Sequence, residues 1–368
     1  MDYMDDANTV EKKLMRMANE NRIPINGSIE LLPLCNMNCD MCYVRLSNEE
    51  MKAQGRLRTA DEWIDIGKQM KEAGVLFLLL TGGEPLLYPE FEKVYIELQK
   101  MGMILTINTN GTLIDEKWAD FFMKHKPRRI NITLYGCDNK TYEELCHYPN
   151  GYDKVIHAVK LLNERNVDVK LSCSLAKSNQ NDFERIIQIG EDLGVPVRVD
   201  TYMMPASRER NKPFNEQSRL DPITAARCRI QALKLEMKED LFNQFIDKSL
   251  FEVEYIVCEE GYGKMKCNAG NCSFTINWQG NVRPCVIMST PSVSVFDHGF
   301  INAWNMIKDT CHQIKLSPKC NSCNKKTLCR TCAASALLET GSYEGTPEYM
   351  CLYTDESLRL IKEYKNSK

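Results

Sequence analysis

From residue 28 onward the chain alternates between two apolar patterns. Short apolar runs at 29–34, 75–80, 103–109, 129–135, 167–175 and 197–202 read as strands. The stretches between them repeat apolar positions at helical spacing. The run at 75–80 is apolar throughout, as expected of a parallel strand buried on both faces. Helix boundaries are marked by local chemistry. Thr59 followed by Glu62 is a capping box, and Gly74 is a left-handed stop for the helix it opens. Pro89 opens the next helix and Gly102 ends it. Asp115 caps a helix through His125, and further helices are read near 141–146, 153–165 and 182–193. Pro33 marks where regular pairing of the first strand stops. Six strand–helix units imply parallel strands with right-handed crossovers, so the expected fold class is α/β. Six units are too few for a closed eight-fold barrel, and a partial (β/α)6 barrel is expected. Its reactive groups belong at the carboxyl ends of the strands.

The flanks read differently. Residues 7–21 place Val10, Leu14, Met15, Met17 and Ala18 at helical spacing, an amphipathic helix. Only 34 residues precede Cys35, too few for a separate leader-binding domain ahead of the core. A polar stretch at 204–221 is read as a crossing loop, and a helix is expected from 222 to 248. From Cys258 glycine, asparagine and cysteine rise and the strand–helix rhythm stops; a last helix is expected at 355–365. The expected organisation is an N-terminal helix (1–27), a partial barrel (28–215), a linker helix (216–257) and a small irregular domain (258–368). Metal would hold that last domain more than an apolar core does.

Bulk composition narrows the setting. Of 368 residues, 43% are hydrophobic and 26% charged, with a net charge of −3, so no basic surplus points to nucleic acid or a membrane surface. No apolar run is long enough to span a bilayer, and the acidic start Met1-Asp2-Tyr3-Met4-Asp5-Asp6 is unlike a signal peptide. A cytoplasmic location is expected. There the 17 cysteines are not disulfide material, and patterned cysteine points to metal. Cys137, Cys146, Cys173, Cys228, Cys258 and Cys311 stand alone, and most of these read as small core residues. The rest fall in two groups.

The first group is Cys35, Cys39 and Cys42, spaced C-x3-C-x2-C in the loop after the first strand. Three thiolates can take three corners of a 4Fe-4S cube and leave one iron open. A zinc knuckle is the alternative, although closed zinc sites want a fourth nearby ligand. Directly after the second strand comes Thr81-Gly82-Gly83-Glu84-Pro85, where two glycines let the backbone turn sharply and approach a ligand. Both motifs fall on the same rim. The second cysteine group is Cys267-x4-Cys272-x12-Cys285, then Cys320-x2-Cys323-x5-Cys329-x2-Cys332, then Cys351. These eight suffice for two four-thiolate sites, which iron–sulfur clusters or zinc could fill. Gly280 suits a hairpin that brings Cys285 back.

Together these motifs resemble the radical S-adenosylmethionine (SAM) superfamily. The later cysteines resemble its SPASM extension, which holds auxiliary clusters. The resemblance covers residues 28–353. It implies three 4Fe-4S clusters, with Cys35, Cys39 and Cys42 on the SAM-binding one. Cys267, Cys272, Cys285 and Cys332 would hold one auxiliary cluster, and Cys320, Cys323, Cys329 and Cys351 the other. Two departures stand out. Met41 occupies the position before the third cysteine where the family usually has an aromatic, leaving Tyr43 as the loop's only aromatic. Cys329-x2-Cys332 has one residue fewer than usual, which leaves open which auxiliary cluster Cys332 serves. By the same resemblance Gly82, Gly83, Glu84, Pro85, Thr109, Asn110 and Thr133 would face SAM. The open iron would chelate SAM, and one electron would cleave it to methionine and a 5′-deoxyadenosyl radical.

SPASM enzymes mostly modify peptides. The resemblance therefore implies a peptide or protein substrate, an electron donor such as flavodoxin or ferredoxin, and crosslinking, oxidation or epimerisation as the reaction. Sulfatase maturation is disfavoured, because Cys285 is followed by Val286, Ile287 and Met288 and not by the aspartate of that branch. Asp200 and Tyr202, at the sixth strand's end, are candidates for the substrate side. Cys173 or Cys258 could supply a hydrogen atom. The alternatives are radical SAM oxidation or rearrangement of a small molecule, sulfatase-maturase-like protein modification and, outside enzymes, a non-catalytic iron–sulfur or zinc scaffold.

Overall fold

A computed structural model describes residues 9–204, 218–255, 265, 267–329 and 331–367. Nine strands form a single sheet: β1 (Asn26–Glu30), β2 (Phe77–Thr81), β3 (Ile104–Thr109), β4 (Arg129–Thr133), β5 (Val169–Ser174), β6 (Val197–Asp200), β7 (Ser273–Ile276), β8 (Asn281–Arg283) and β9 (Val293–Ser294). Their order is β6-β5-β4-β3-β2-β1-β7-β8-β9, so the first six strands lie side by side in chain order. All five pairings among them are parallel. The α/β class and the open, six-unit parallel array are as the apolar pattern predicts.

One register row shows what holds the sheet. Ile276 pairs with Ile29, Ile29 with Leu80, Leu80 with Ile107, Ile107 with Ile130, and Ile130 with Val169. Each of these side chains is buried. A residue's side-chain face is set by period two, so this row pins β1 to β5 and β7 against a slip of one. The crossover helices add an aromatic layer in which Phe91 meets Trp118 edge-on at 5.6 Å and stacks on Tyr95 at 5.9 Å.

The structure departs from the pattern at five places. The strands end before the apolar runs do: β1 stops at Glu30 and β6 at Asp200. Residues 31–34 and 201–202 continue as buried to half-buried irregular chain and build the rim. The apolar run therefore records burial, of which the ladder is only part. A helix at Asn48–Gln54 was missed, although Ser47 and Glu50 form a full capping box. The stretch from 222 is two helices, Pro222–Glu236 and Glu239–Tyr255, broken at Met237, whose backbone is extended. The closing helix starts earlier, at Glu348, and runs to Asn366. The C-terminal region is also less separate than expected. β7 pairs parallel with β1, and β8 and β9 continue antiparallel, so the first sheet extends into it. No helix among the described residues is long and apolar enough to cross a membrane.

Candidate active site

The chain leaves β1 and runs along the start of the second motif. Gly83 N donates to Leu32 O at 2.7 Å and Glu84 N to Leu34 O at 2.9 Å. The two glycines are required by this approach. A Cβ at Gly83 would stand 2.2 Å from Leu34 O, and Gly82 has φ +151° with Leu32 O 2.5 Å from its would-be Cβ. The glycine pair therefore seats the chain that leads into the cysteine loop, and the two motifs form one unit.

Beyond them a cavity of about 540 Å³ opens at the carboxyl ends of the strands. Cys35, Cys39 and Cys42 line it, with Tyr43, Gly82, Gly83, Thr109, Asn110 and Thr133. Asp200 and Tyr202 line it too, as do Val286 and Ile287 from the C-terminal region. Two sequence-predicted residues do not reach it. Glu84 is fully buried, and its carboxylate accepts hydrogen bonds from Leu86 N (3.0 Å), Thr109 Oγ1 (2.8 Å) and Asn110 N (2.8 Å). Pro85 begins a short 3-10 turn and is buried as well. Glu84 thus ties β2's loop to β3's loop from beneath the cavity. Burial pushes its pKa up to about 7, against the pull of those three donors.

The remaining polar groups brace the cysteines. Asn110 Nδ2 donates to Asn36 Oδ1 at 2.8 Å and lies 3.6 Å from Cys35 Sγ. Asn36 Nδ2 in turn donates to Thr112 Oγ1 at 2.9 Å. Met37 N points at Cys35 Sγ (3.4 Å) and Arg45 N at Cys42 Sγ (3.3 Å). Burial raises the Cys35 thiol to about 12, whereas hydrogen bonds from Cys146 and then Tyr135 lower Cys39. Tyr135 and Ser174, both lining the cavity, were missed in the sequence. Each sits at or just past a strand's carboxyl end, so the rim rule would have flagged them.

On the far wall, Asp200 pairs with Arg198 at 3.3 Å and keeps a partly exposed carboxylate. The Tyr202 hydroxyl contacts Met204 Sδ at 3.3 Å, and its ring packs on Tyr349 (5.8 Å) and Tyr353 (6.4 Å) of the closing helix. Burial raises its phenol. Cys173 is buried and does not line the cavity, which removes it as a hydrogen donor there. Cys258 lies outside the described residues.

A second cavity, of about 410 Å³, is lined by Cys267, Cys320, Cys323, Cys329, Cys332 and Cys351. Cys351 lies within electrostatic reach of Cys329 and Cys320, and Cys267 of Cys332 and Cys285. Cys272 is not brought to either set. The amides of Asn271, Cys272 and Ser273 all donate to Asn268 O. The Cys272 side chain is buried with Ala18 and Ile25, where Asn19 Nδ2 lies 3.8 Å from its sulfur. The expected ligand set is corrected here: Cys272 is a core residue between β7 and the first helix. Cys311 stands nearer to that set, its sulfur facing Gly270 and within electrostatic reach of Cys267 and Cys285.

Among the described residues, no three cysteine, histidine or carboxylate side chains converge as on a single metal ion. The thiols are instead spread around the two cavities. At the first cavity the donor chemistry also fits. Three thiols share it with backbone that only glycine can bring so close.

Comparison with known proteins decides the reading. The family model of the Radical SAM superfamily matches residues 29–189. This segment is a radical SAM domain. Cys35, Cys39 and Cys42 fall at the head of that matched segment. The chain is 22% identical over 341 residues to the AdoMet-dependent heme synthase of Methanosarcina barkeri, covering 88% of this chain and 95% of that protein. It is 23% identical over 275 residues to the subtilosin biosynthesis protein AlbA of Bacillus subtilis, covering 73% of this chain and 56% of that protein. Among solved structures, Streptococcus suis SuiB bound to S-adenosylmethionine superposes with a TM-score of 0.67 at 18% identity, over 92% of this chain and 80% of that one. SuiB bound to its precursor peptide SuiA gives 0.66 at 18% identity, over 92% and 79%.

Proposed function

We propose that this radical SAM enzyme abstracts a hydrogen atom from a peptide substrate, in the maturation of a ribosomally made peptide, and carries two auxiliary clusters. One observation supports the reading above all. The cavity that holds the three-cysteine loop and the glycine pair also takes in Asp200, Tyr202, Val286 and Ile287, so SAM site and substrate wall share one chamber. AlbA, and SuiB with its bound precursor peptide, favour a peptide on that wall. Val286 and Ile287 present apolar surface where a sulfatase-maturing enzyme would carry an aspartate. The heme synthase relative favours a small molecule instead, and that is the competing reading.

Cys35, Cys39 and Cys42 would hold a cluster that would supply the electron for reductive cleavage of SAM. The residues around it do the positioning. Glu84 fixes the β2 and β3 loops through three hydrogen bonds. Asn110 fixes Asn36 and faces Cys35. Gly82 and Gly83 keep backbone exposed to the chamber, and Tyr43 and Thr133 add to its wall. Tyr202, Met203 and Met204 close the side toward the C-terminal helix with apolar surface. Cys320, Cys323, Cys329 and Cys351 would hold one auxiliary cluster, with Cys267, Cys285 and Cys332 at the other. Oxidation of a substrate radical by such a cluster would remove the need for an external oxidant.

Anaerobic reconstitution followed by SAM and dithionite tests the first half of this reading, with 5′-deoxyadenosine as the expected product. Mass spectrometry of candidate precursor peptides after turnover tests the second. A mass change confined to small-molecule substrates would overturn the peptide assignment.

A further inference from the structure

On the far wall of the chamber a single carboxylate stands at the head of an apolar stretch. Val197 and Val199 of β6 are buried, and Val197 Cγ2 lies 2.0 Å from the would-be Cβ of Gly190 in the helix Phe183–Leu193. Period two then turns Arg198 and Asp200 to the opposite face. Asp200 ends the strand, pairs in register with Ser174 and lines the chamber beside it. Among the described residues that line the chamber, no other is an aspartate, glutamate, lysine, arginine or histidine.

That carboxylate is engaged on one oxygen only. Arg198 Nε donates to Asp200 Oδ1 at 3.3 Å, and among the described residues no hydrogen bond or ion pair is made to Oδ2. The side chain is 44% exposed, and Arg198 does not line the chamber. Directly after Asp200 the wall turns apolar. Tyr202, Met203 and Met204 line the chamber half-buried, and Val286 and Ile287 line it from the chain past β8. Packing fixes this wall: Tyr202 rests on Tyr349 and Tyr353, and Thr201 Oγ1 meets Tyr353 Oη at 3.3 Å.

An apolar wall that ends in one open carboxylate oxygen fits a side chain of the same build, an aliphatic stem with a cation at its tip. An acidic side chain would lose its water there beside a like charge. A guanidinium would find one open oxygen where its fork takes two, whereas an ammonium needs only one. We propose that the chamber takes a lysine side chain of the peptide substrate, with its ammonium on Asp200 and its methylene stem along Met203, Met204 and Ile287. The proposal rests on the peptide reading of the chamber and makes Asp200 a specificity residue within it.

Isothermal titration calorimetry of the SAM-loaded holoenzyme, with no reductant present, reads binding apart from turnover. The probes are acetyl-Ala-Ala-Xaa-Ala-Ala-amide peptides with lysine, norleucine, arginine or glutamate at the centre. Norleucine keeps the lysine stem and lacks the ammonium. The lysine peptide should bind about fivefold tighter than the norleucine peptide. The arginine peptide should fall below lysine, and the glutamate peptide should bind most weakly. Asp200→Asn should bring lysine and norleucine to within about twofold, and Asp200→Glu should restore the preference. Equal binding of lysine and norleucine to the wild type would overturn the proposal, whatever the variants do. So would a lysine preference that survives in Asp200→Asn, or an arginine peptide that binds tightest. If none of the peptides binds while the enzyme still forms 5′-deoxyadenosine with dithionite, the peptide reading falls and the proposal falls with it.

Discussion

Arg229 and Glu236 stand two turns apart on one helix and together close the open edge of the sheet. Arg229 Nη1 donates to Val199 O at 2.6 Å, and Glu236 Oε1 accepts from Val199 N at 2.6 Å. The two side chains lie 3.2 Å apart and each is 8% exposed. They supply the acceptor and donor that a seventh strand would otherwise bring, so β6 is not left as a free edge. Burial raises the Glu236 carboxyl, and Arg229 counters it. Arg229→Met, which leaves that carboxylate uncompensated, is expected to cost about 3–5 kcal/mol in denaturant unfolding. Glu236→Gln should cost less, about 1–3 kcal/mol.

Gly83→Ala should fail at the cluster loop. The added Cβ would meet backbone, Leu34 O at 2.2 Å and Leu34 C at 2.6 Å, and backbone cannot step aside as a side chain can. The expected outcome is loss of the SAM-responsive iron–sulfur signal. Gly194→Ala is the control. Its φ is +66° but nothing lies within 4 Å of the new Cβ, so it should cost only about 1–2 kcal/mol and keep the signal.

Glu84 makes stability pH-dependent in a known direction. Its carboxyl is raised from 4.5 to about 7 in the fold, so the folded state holds the proton more tightly than the unfolded chain. Its contribution is fully present below about pH 4.5 and is lost as pH rises through about 7. The loss amounts to about 3 kcal/mol. Glu84→Gln should flatten the curve across that window relative to wild type. The variant should also be less stable at its low-pH end, because one amide N–H must face a donor. Unfolding free energies measured from pH 4 to 8 check both.

Arg219→Lys should destabilise the seam between barrel and closing helix. The Arg219 guanidinium lies 3.5 Å over the Tyr349 ring and 2.8 Å from Glu339, with its side chain 1% exposed. Lysine keeps the charge but not the flat stacking face. A loss of about 2 kcal/mol is expected in chemical denaturation. Tyr202, on the chamber wall, lies under the same cation at 5.2 Å, so substrate affinity should fall as well.

Iron content separates the cysteines. With three cubes the holoenzyme should carry about 12 irons per chain. Cys272→Ala should leave that number unchanged, because its sulfur is buried against the first helix. Cys42→Ala and Cys351→Ala should each remove about four. An iron count near four, with zinc present, would sink the auxiliary-cluster assignment.

Much of this site was legible in one dimension. A parallel strand must deliver its loop to the carboxyl rim, so Cys35–Cys42, Gly82–Gly83 and Asp200 could be placed together from periodicity, while Asn110 came from the family resemblance. Spacing failed where the chain turns within a few residues. Cys272 fits a ligand pattern as a string, but the turn on Asn268 O sends its side chain to the opposite side. Cys146 reads as core filler by position, and only the packing of its helix end sets it against Cys39. Glu84 reads as a ligand group, yet three donors from two loops draw it beneath the cavity.

The sequence by itself determined the α/β rhythm, the three-thiol loop and the close glycine approach, because each depends on residues near one another along the chain. Only the tertiary structure decided which cysteines meet, that β7 extends the first sheet, and what closes the edge of β6. Those outcomes depend on contacts between segments tens to hundreds of residues apart, where burial and hydrogen-bond satisfaction choose among partners that spacing leaves equal.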